Sequence, residues 1–511
     1  MRYFILSYCF LITLNFAFAE NEEKYLDQST TTETGVLDND KKNLTSWAGI
    51  APNLTEAIQL LSEYIQVPSV SGHEAIAGRF LSDFCRSNGL HVKIFSDADD
   101  KFNFSASLYP LTLNKPNIIL LNHIDVVSAG NPQKWDHPPF SGTVTETSIT
   151  GRGTIDCKGL AVMQVMALLN FKALNNSLAL PFNITMLSVS DEERGGLNGS
   201  RFIVEKYLDY LNPVVIMGEG GSGMRGVLPN KPDEIVYGIS IAEKTNLWLQ
   251  LTLEEKAYGH GASPGFSYAN KSMIEALSRL NNKQTRLKFN HANRLMFREF
   301  GNAIGGLRGF VIKHANWIVF SPFVKSFIKK DPLYRSLLTN TVTITNLNNP
   351  PGSPNQIAPL SSAILDCRLL PGTSKKSFIK KVKNVIKNPN IEIEVIDEGP
   401  SSISTRPDIF YYAMEQSLYT FHPDEQIHVV PMLFPATTDN GFYREAGIPA
   451  YGFMPAEVTK KEIEQVHNAN ESISKKALND GIVIYTLFLQ NIAEEFYEET
   501  DIDLEMITTN E

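Results

Sequence analysis

The sequence predicts an α/β protein in which helices cover a mixed, mostly parallel sheet and a second, α+β domain is inserted into the chain. Two patterns indicate this fold. Short apolar runs such as residues 118–121 lack polar alternation and end in polar residues, which is typical of strands buried on both faces. These runs alternate with segments of helical apolar spacing. The length of 511 residues suits two or three domains of roughly 150 residues each.

The first 19 residues have the composition of a secretory signal peptide. Arg2 precedes an apolar run, and Ala17-Phe18-Ala19 supplies the small residues expected before a cleavage site. We therefore expect a secreted protein, and the alternative is a signal anchor retained in the secretory pathway. Residues 20–46 are polar and predict a flexible tether. No later membrane span is expected, because the most apolar stretch, residues 310–328, contains two lysines and a histidine.

Composition narrows the class of protein further. The net charge of −10 and the lack of a basic run argue against a nucleic-acid surface. Three cysteines remain after the signal, and this odd number argues against a disulfide scaffold. Sequons for N-glycosylation fit a secreted chain, although each is weak evidence alone. They lie at Asn43, Asn53, Asn103, Asn175, Asn183, Asn198, Asn270 and Asn470.

Residues 47–238 predict the first part of the catalytic sheet domain. Helices are expected at residues 54–65, 74–86, 158–174 and 202–211. Strands are expected at residues 91–95, 104–108, 118–121, 183–190 and 213–217.

The pattern changes near Ile239, so we expect an inserted lid domain over residues 239–366. Within it, strands are expected at residues 245–253, 341–345 and 362–369, a helix at 271–280, and an apolar, aromatic helical stretch at 290–338. The catalytic domain resumes over residues 367–498 and closes with a helix at 475–496, before an acidic tail at 499–511.

Acidic and imidazole side chains recur where predicted strands end, at the edge of a parallel sheet where ligands bind. The set is His123, Asp156, Glu192, Glu193, Glu219 and His467. Asp125 lies two residues after His123, on the same face of a strand, where its carboxylate could hold the imidazole in one tautomer. Nitrogen and oxygen ligands without thiolate suit zinc, cobalt or manganese. In the Glu192-Glu193 pair, one carboxylate can bind metal while its neighbour holds water, as metal-assisted hydrolysis requires. Taken singly, each residue is more typical of a structural role; their joint occurrence favours a site.

Several segments resemble the cocatalytic-zinc family of aminoacylase, acetylornithine deacetylase, glutamate carboxypeptidase and carboxypeptidase S. They occur in the family's order over nearly the whole chain beyond the tether, and the secreted N-fatty-acyl-amino-acid synthase/hydrolase branch is most similar. The segments are His123-Ile124-Asp125, residues 151–158, residues 191–196, Gly259-His260, Asp366-Cys367-Arg368, Thr438-Asp439 and Val466-His467.

The resemblance implies a role for each matching residue. Two zinc ions would be bridged by Asp156, with His123 and Glu219 completing one site and Glu193 and His467 the other. Asp125 would orient His123, and Glu192 would be the general base. The substrate would be held by His260, Asn355 and Arg368, and the lid would allow a homodimer.

Two departures from the family pattern stand out. Relatives often have Asp-Glu-Gly at the fourth ligand, where this chain has Gly218-Glu219-Gly220. Relatives often carry arginine at the position of Gly441, and here Arg444 follows three residues later.

The sequence thus predicts a secreted dizinc hydrolase that cleaves or forms the amide between an acyl group, in particular a fatty acyl group, and a C-terminal amino acid. The apolar residues between 310 and 323 could line a channel for the acyl chain; the alternative is helix packing within the lid. A carboxypeptidase S-like peptidase acting on short peptides is the second interpretation. A non-catalytic binding protein with the same fold is the third, and it predicts loss of a ligand or of Glu192, which the sequence retains.

Overall fold

The computed structural model describes residues 53–99, 101–175, 179–256, 259–283, 286–316 and 332–508. The predicted signal peptide and tether, the sequon at Asn43, and residues 317–323 of the predicted acyl channel lie outside this part of the chain.

The described residues form fifteen strands. They are β1 (His91–Ala98), β2 (Lys101–Ser107), β3 (Asn117–His123), β4 (Thr143–Val144), β5 (Ser148–Thr150), β6 (Asn183–Val189), β7 (Pro213–Met224), β8 (Ile235–Glu243), β9 (Thr245–Glu254), β10 (Thr341–Asn348), β11 (Leu360–Leu369), β12 (Glu392–Glu398), β13 (Ile427–Phe434), β14 (Ala450–Glu457) and β15 (Ser472–Ser474).

The described residues also form thirteen α-helices, which alternate with the strands along most of the chain. They are α1 (Leu54–Ile65), α2 (Ala75–Ser87), α3 (Lys158–Leu174), α4 (Ser200–Leu211), α5 (Ala269–Asn281), α6 (His291–Ile304), α7 (Gly306–Lys313), α8 (Pro332–Leu338), α9 (Lys375–Ile386), α10 (Ile409–Phe421), α11 (Asn440–Glu445), α12 (Lys460–Gln465) and α13 (Lys475–Thr508).

The larger sheet has eight strands in the order β1-β2-β6-β3-β7-β14-β8-β13. Four of its seven neighbouring pairs, β6–β3, β3–β7, β7–β14 and β8–β13, are parallel, so the predicted mixed, mostly parallel sheet is confirmed. Strand β3 is buried along its whole length. Ile118 and Leu120 join the core beneath α1, α3 and α13, whereas Ile119 and Leu121 join a second core beneath α4 and α11. Helices therefore cover both faces, which explains the uninterrupted apolar run.

The smaller sheet is antiparallel, in the order β10-β11-β9-β12. Alternate residues of β9, from Leu247 to Leu253, pack with α5 and α9 in a separate core. This sheet extends from Thr245 to Glu398, which differs from the expected lid boundaries of 239 and 366. Residues 239–243 belong to β8 of the larger sheet, and β12 returns to pair with β9. Likewise, helix α13 continues through the expected tail as far as Thr508.

The described parts of the aromatic helical stretch, residues 290–316 and 332–338, pack with the core of the larger sheet and not with the lid core. In α6, Met296, Phe297 and Phe300 are buried in the core of the larger sheet, next to β13. Helix α7 contacts α6, and its Phe310 is 45% exposed. The expected packing of this stretch within the lid is therefore wrong for the residues that the structure describes.

Two of the predicted glycosylation sites cannot carry a glycan in the folded chain. Asn103 is fully buried, and its amide donates to the carbonyl of Asn198. Asn183 is also buried and accepts a hydrogen bond from the main chain of Tyr109. Cys85, Cys157 and Cys367 are buried and unpaired, and no described helix is long and apolar enough to cross a bilayer.

Candidate metal centre

The predicted ligands meet at one edge of the larger sheet. His123 is the last residue of β3, Glu192 and Glu193 follow the end of β6, and Glu219 lies in β7. These three neighbouring strands are parallel, so their carboxyl ends point the same way. Asp156 just precedes α3, whereas His467 follows α12. The fold thus gathers side chains that lie far apart in the sequence.

Asp156 is the centre of the cluster. Its Oδ1 lies 2.9 Å from Nε2 of His123, and its Oδ2 lies 3.0 Å from Nε2 of His467. Nε2 of His467 also lies 3.2 Å from Oε1 of Glu193, and Nε2 of His123 lies 3.8 Å from Oε2 of Glu219. The two oxygens of one carboxylate therefore face two different histidine–glutamate pairs, as a bridging ligand must.

A hydrogen bond to Asp125 fixes the orientation of the His123 ring. Its Nδ1 donates to the main-chain carbonyl of Asp125 at 2.8 Å, which leaves Nε2 to face the cluster. The Asp125 carboxylate is 3.5 Å from Nδ1 and accepts hydrogen bonds from the main-chain N–H groups of Glu192 and Glu193 and from Ser71. Asp125 therefore positions the glutamate pair as well as the imidazole, and its backbone contributes the shorter contact to His123.

Gly218 stands where relatives often have aspartate, and the structure gives a steric reason for this difference. A Cβ at this position would lie 2.4 Å from Oδ1 of Asn440, so a larger residue would clash. The same Asn440 donates from Nδ2 to the main-chain carbonyl of Glu219 at 2.8 Å. Asn440 thus occupies the space that an aspartate would need and fixes the strand that carries Glu219.

The carboxyl groups of the cluster repel one another. Burial raises the pKa of Glu192 well above its usual value, and the neighbouring Glu219 adds to this. Burial also raises the pKa of Glu193 to about 7, with a further contribution from Asp156. Although burial alone would lower it, hydrogen bonds with Asp156 and Glu193 raise the pKa of His467 to about 11. Positive charge placed among these carboxyl groups would therefore stabilise the cluster.

This donor set fits metal ions. Among the described residues, no ion pair links these carboxylates to a lysine or an arginine. Two groups have their ligand atoms within 4.8 Å of one another, His123–Asp156–Glu193 and His123–Cys157–Glu219. Buried carboxylates with imidazoles and no basic partner are what a divalent cation would stabilise, since its binding displaces the protons that otherwise hold the cluster together.

One supporting residue, Glu471, was not foreseen from the sequence. It is fully buried, and its carboxylate accepts hydrogen bonds from the main-chain N–H groups of Gly153, Ile155 and Asp156 at 3.0, 2.9 and 3.2 Å. It also pairs with Nη1 of Arg152 at 2.5 Å. The only signal was a carboxylate four residues after His467, in a segment without helical periodicity.

The candidate metal centre opens into a cavity of about 1360 Å³ lined by residues of both sheets. Its walls include Asp156, Glu192, Glu193, Glu219 and His467 from the centre, and Arg368 from β11. Arg368 pairs with Asp366 at 2.9 Å and donates to Thr437 at 3.3 Å.

The other two predicted substrate residues lie elsewhere. His260 and Asn355 are exposed and hydrogen-bonded to each other at 3.0 Å, and neither lines the cavity. Residues 310–312 do not line this cavity either, so their role in an acyl channel stays a prediction.

Arg444 does not replace the family arginine in the cleft. It is buried, pairs with Glu243 at 3.0 Å and donates from Nε to the carbonyl of Ala450 at 2.9 Å. A Cβ on Gly441 would lie 2.5 Å from Oε1 of Glu243 and 2.6 Å from Pro400, so no side chain fits at that position. Arg444 is therefore structural, and Arg368 is the predicted substrate arginine that faces the cavity.

Comparison with known proteins agrees with this geometry. The sequence profile described as Peptidase family M20/M25/M40 matches residues 119–491. "Probable carboxypeptidase S-like 2" of Dictyostelium discoideum is 27% identical over 389 residues, covering 73% of this chain and 71% of that protein. The N-fatty-acyl-amino acid synthase/hydrolase PM20D1 of Xenopus tropicalis is 26% identical over 377 residues, covering 73% and 72%.

The fold is also that of a solved member of this family. The M20 family metallo-carboxypeptidase Sso-CP2 from Sulfolobus solfataricus superposes with a TM-score of 0.63 at 18% identity, covering 86% of this chain and 99% of that one. Because the family profile matches well over half of the sequence, the chain belongs to peptidase family M20/M25/M40 and is a metal-dependent hydrolase.

Proposed function

We propose that this protein is a dizinc hydrolase that cleaves, and can also form, the amide bond between a fatty acyl group and a C-terminal amino acid. The observation that carries the proposal is the position of Asp156, whose two oxygens face His123 and His467 at 2.9 and 3.0 Å. Similarity to N-fatty-acyl-amino acid synthase/hydrolases supports the acyl specificity.

In this proposal, His123, Asp156 and Glu219 hold one zinc ion, and Asp156, Glu193 and His467 hold the other. When bound, the two ions would polarise the scissile carbonyl and lower the pKa of the attacking water. Nitrogen and oxygen donors in this number are compatible with zinc, although cobalt and manganese accept the same set.

Glu192 is the general base. Its side chain lines the cavity, whereas its main-chain N–H is held by Asp125 at 3.0 Å. It would take the proton from the attacking water and then deliver it to the leaving amine nitrogen.

The cavity has room for a long substrate. Its volume of about 1360 Å³ exceeds the roughly 300–1,000 Å³ of common small-molecule pockets. Apolar side chains from both domains line it, including Trp248, Phe378, Phe434 and Met454. These would contact the acyl chain, and Arg368 would bind the carboxylate of the amino acid. His260 and Asn355 would reach the substrate of a partner subunit in a homodimer formed through the lid.

Turnover of two substrates tests the acyl specificity. The purified, zinc-loaded protein should hydrolyse N-oleoyl-phenylalanine faster than an N-blocked dipeptide, and oleate with phenylalanine should yield the same amide. If the lipid amide is not cleaved, the fatty-acyl proposal is refuted. Cleavage of the dipeptide alone would favour the second candidate function, that of a carboxypeptidase S-like peptidase. Similarity to the Dictyostelium relative supports this second candidate.

We base the proposed location on the signal-peptide composition of the first 19 residues. We infer that the chain is secreted and glycosylated at exposed sequons such as Asn53. Expression with the native N-terminus, followed by N-terminal sequencing of the protein in the medium, tests this; retention in the membrane fraction would support the signal anchor.

A further inference from the structure

Five basic side chains line the same cavity as the metal centre. They are Lys283, Arg286, Lys288, Arg335 and Lys381, which we call the basic wall. The whole chain has a net charge of −10, so this concentration of positive charge runs against the overall balance of the protein. Outside the metal centre, the cavity lining has eight lysines and arginines but only three carboxylates, Asp366, Asp397 and Asp439, so its field there is positive on balance.

The basic wall has no acidic partners of its own. Among the described residues, none of its five members lies within 4.0 Å of a carboxylate, and all five are exposed. Two other basic residues of the cavity are engaged within the protein: Arg194 pairs with Asp191 at 2.9 Å, and Lys244 donates to main-chain carbonyls of residues 336 and 339. The positive charge of the wall is therefore available to a bound molecule.

One substrate carboxylate does not account for this charge. The C-terminal carboxylate of an N-acyl amino acid is assigned to Arg368 in the proposed function. The remaining acids that line the cavity outside the metal centre are few, and Asp397 accepts a hydrogen bond from Asn246 at 2.6 Å. Five further cations exceed what a single carboxylate or an uncharged acyl chain would require.

We propose that the basic wall selects substrates with a second carboxylate, in addition to the C-terminal one. This inference rests on the proposed amide hydrolysis. The second carboxylate would come either from the side chain of an acidic amino acid or from the far end of a dicarboxylic acyl group. Both place negative charge in the cavity, and the substrate pairs below distinguish them.

Two matched pairs test the proposal with the zinc-loaded full chain. N-acetyl-glutamate is compared with N-acetyl-glutamine, and N-succinyl-phenylalanine with N-succinamoyl-phenylalanine. In at least one pair, kcat/KM for the acidic member should be about tenfold higher at low salt, and the advantage should shrink as salt screens the charges. The pair that shows the effect identifies the source of the carboxylate. Equal kcat/KM within both pairs would overturn the inference.

Helix α9 provides a matched control. Lys381 lines the cavity, whereas its exposed neighbour Lys380 does not. Lys381→Glu should reduce the preference for the acidic substrate several-fold, whereas Lys380→Glu, with the same change in net charge, should leave it unchanged. Identical behaviour of the two variants would contradict a role for the wall. Equilibrium binding of the same substrate pairs is measured in parallel. If the enzyme cleaves none of the amides, the proposed function is refuted. The binding constants of the acidic and neutral members then still decide whether the wall selects a second carboxylate.

Discussion

Replacement of Glu471 by glutamine should both destabilise the fold and loosen the metal centre. The carboxylate of Glu471 accepts hydrogen bonds from the main-chain N–H groups of Gly153, Ile155 and Asp156 and pairs with Arg152, which is 1% exposed. An amide keeps one acceptor oxygen and turns its NH2 group toward the other donors. Leaving a buried charge without its partner costs about 3–5 kcal/mol, so a loss of that size is expected.

The metal centre should respond as well, because Glu471 holds the main chain of Asp156 in place. Loss of an outer partner of a metal ligand typically lowers metal affinity about 10–100-fold. Thermal unfolding and metal content after dialysis measure the two effects. Glu464→Gln is the control, since this partly exposed side chain is 3.8 Å from Lys460 and its loss should cost at most about 1 kcal/mol. Equal melting temperatures and equal metal content of the two variants would refute this reasoning.

Three other perturbations have distinct expected outcomes. Glu192→Gln should lower kcat by about 10²–10⁴-fold with unchanged metal content; near-normal turnover would eliminate Glu192 as the base. His467→Ala should reduce the bound metal from two ions per chain to one, measured by elemental analysis, and two retained ions would exclude it as a ligand. Burial raises the pKa of Glu74 to about 7. The stability that this group contributes to the fold is therefore complete at pH values below the pKa of Glu74 in the unfolded chain, and it is lost as the pH rises through 7. Glu74→Gln should therefore raise the melting temperature relative to the parent more at pH 8 than at pH 5, and an equal difference at both would disprove the shift.

Local sequence patterns predicted the elements whose burial is set by their own residues. Helices α1 and α3 begin and end where apolar spacing placed them, at Leu54–Ile65 and Lys158–Leu174. Strand β3 was recognisable because both of its faces are buried.

Membership of a sheet was harder to predict. Strands β8 and β9 are separated by Lys244 alone and have similar apolar content, yet they belong to different sheets. Their assignment depends on β13 and β12, which pair with them from much later in the chain. The boundary predicted at residue 239 was therefore early.

The candidate site likewise contains residues that local sequence patterns predict and residues whose role only the tertiary structure reveals. The predicted metal ligands could be proposed because each follows a recognisable strand or motif, and the structure brings their side chains together. Glu471 could not, because its function depends on Arg152, which is 319 residues away in the sequence. The positions of His260 and Asn355 outside the cavity likewise depend on tertiary structure, and their predicted contact with substrate remains a prediction.

Anomalous diffraction at the zinc absorption edge, from crystals of the zinc-loaded protein, tests the central claim most directly. Two peaks roughly 3.5–4 Å apart are expected, one on each side of the Asp156 carboxylate, with one beside His123 and the other beside His467. A single peak, or zinc bound away from Asp156, would contradict the account.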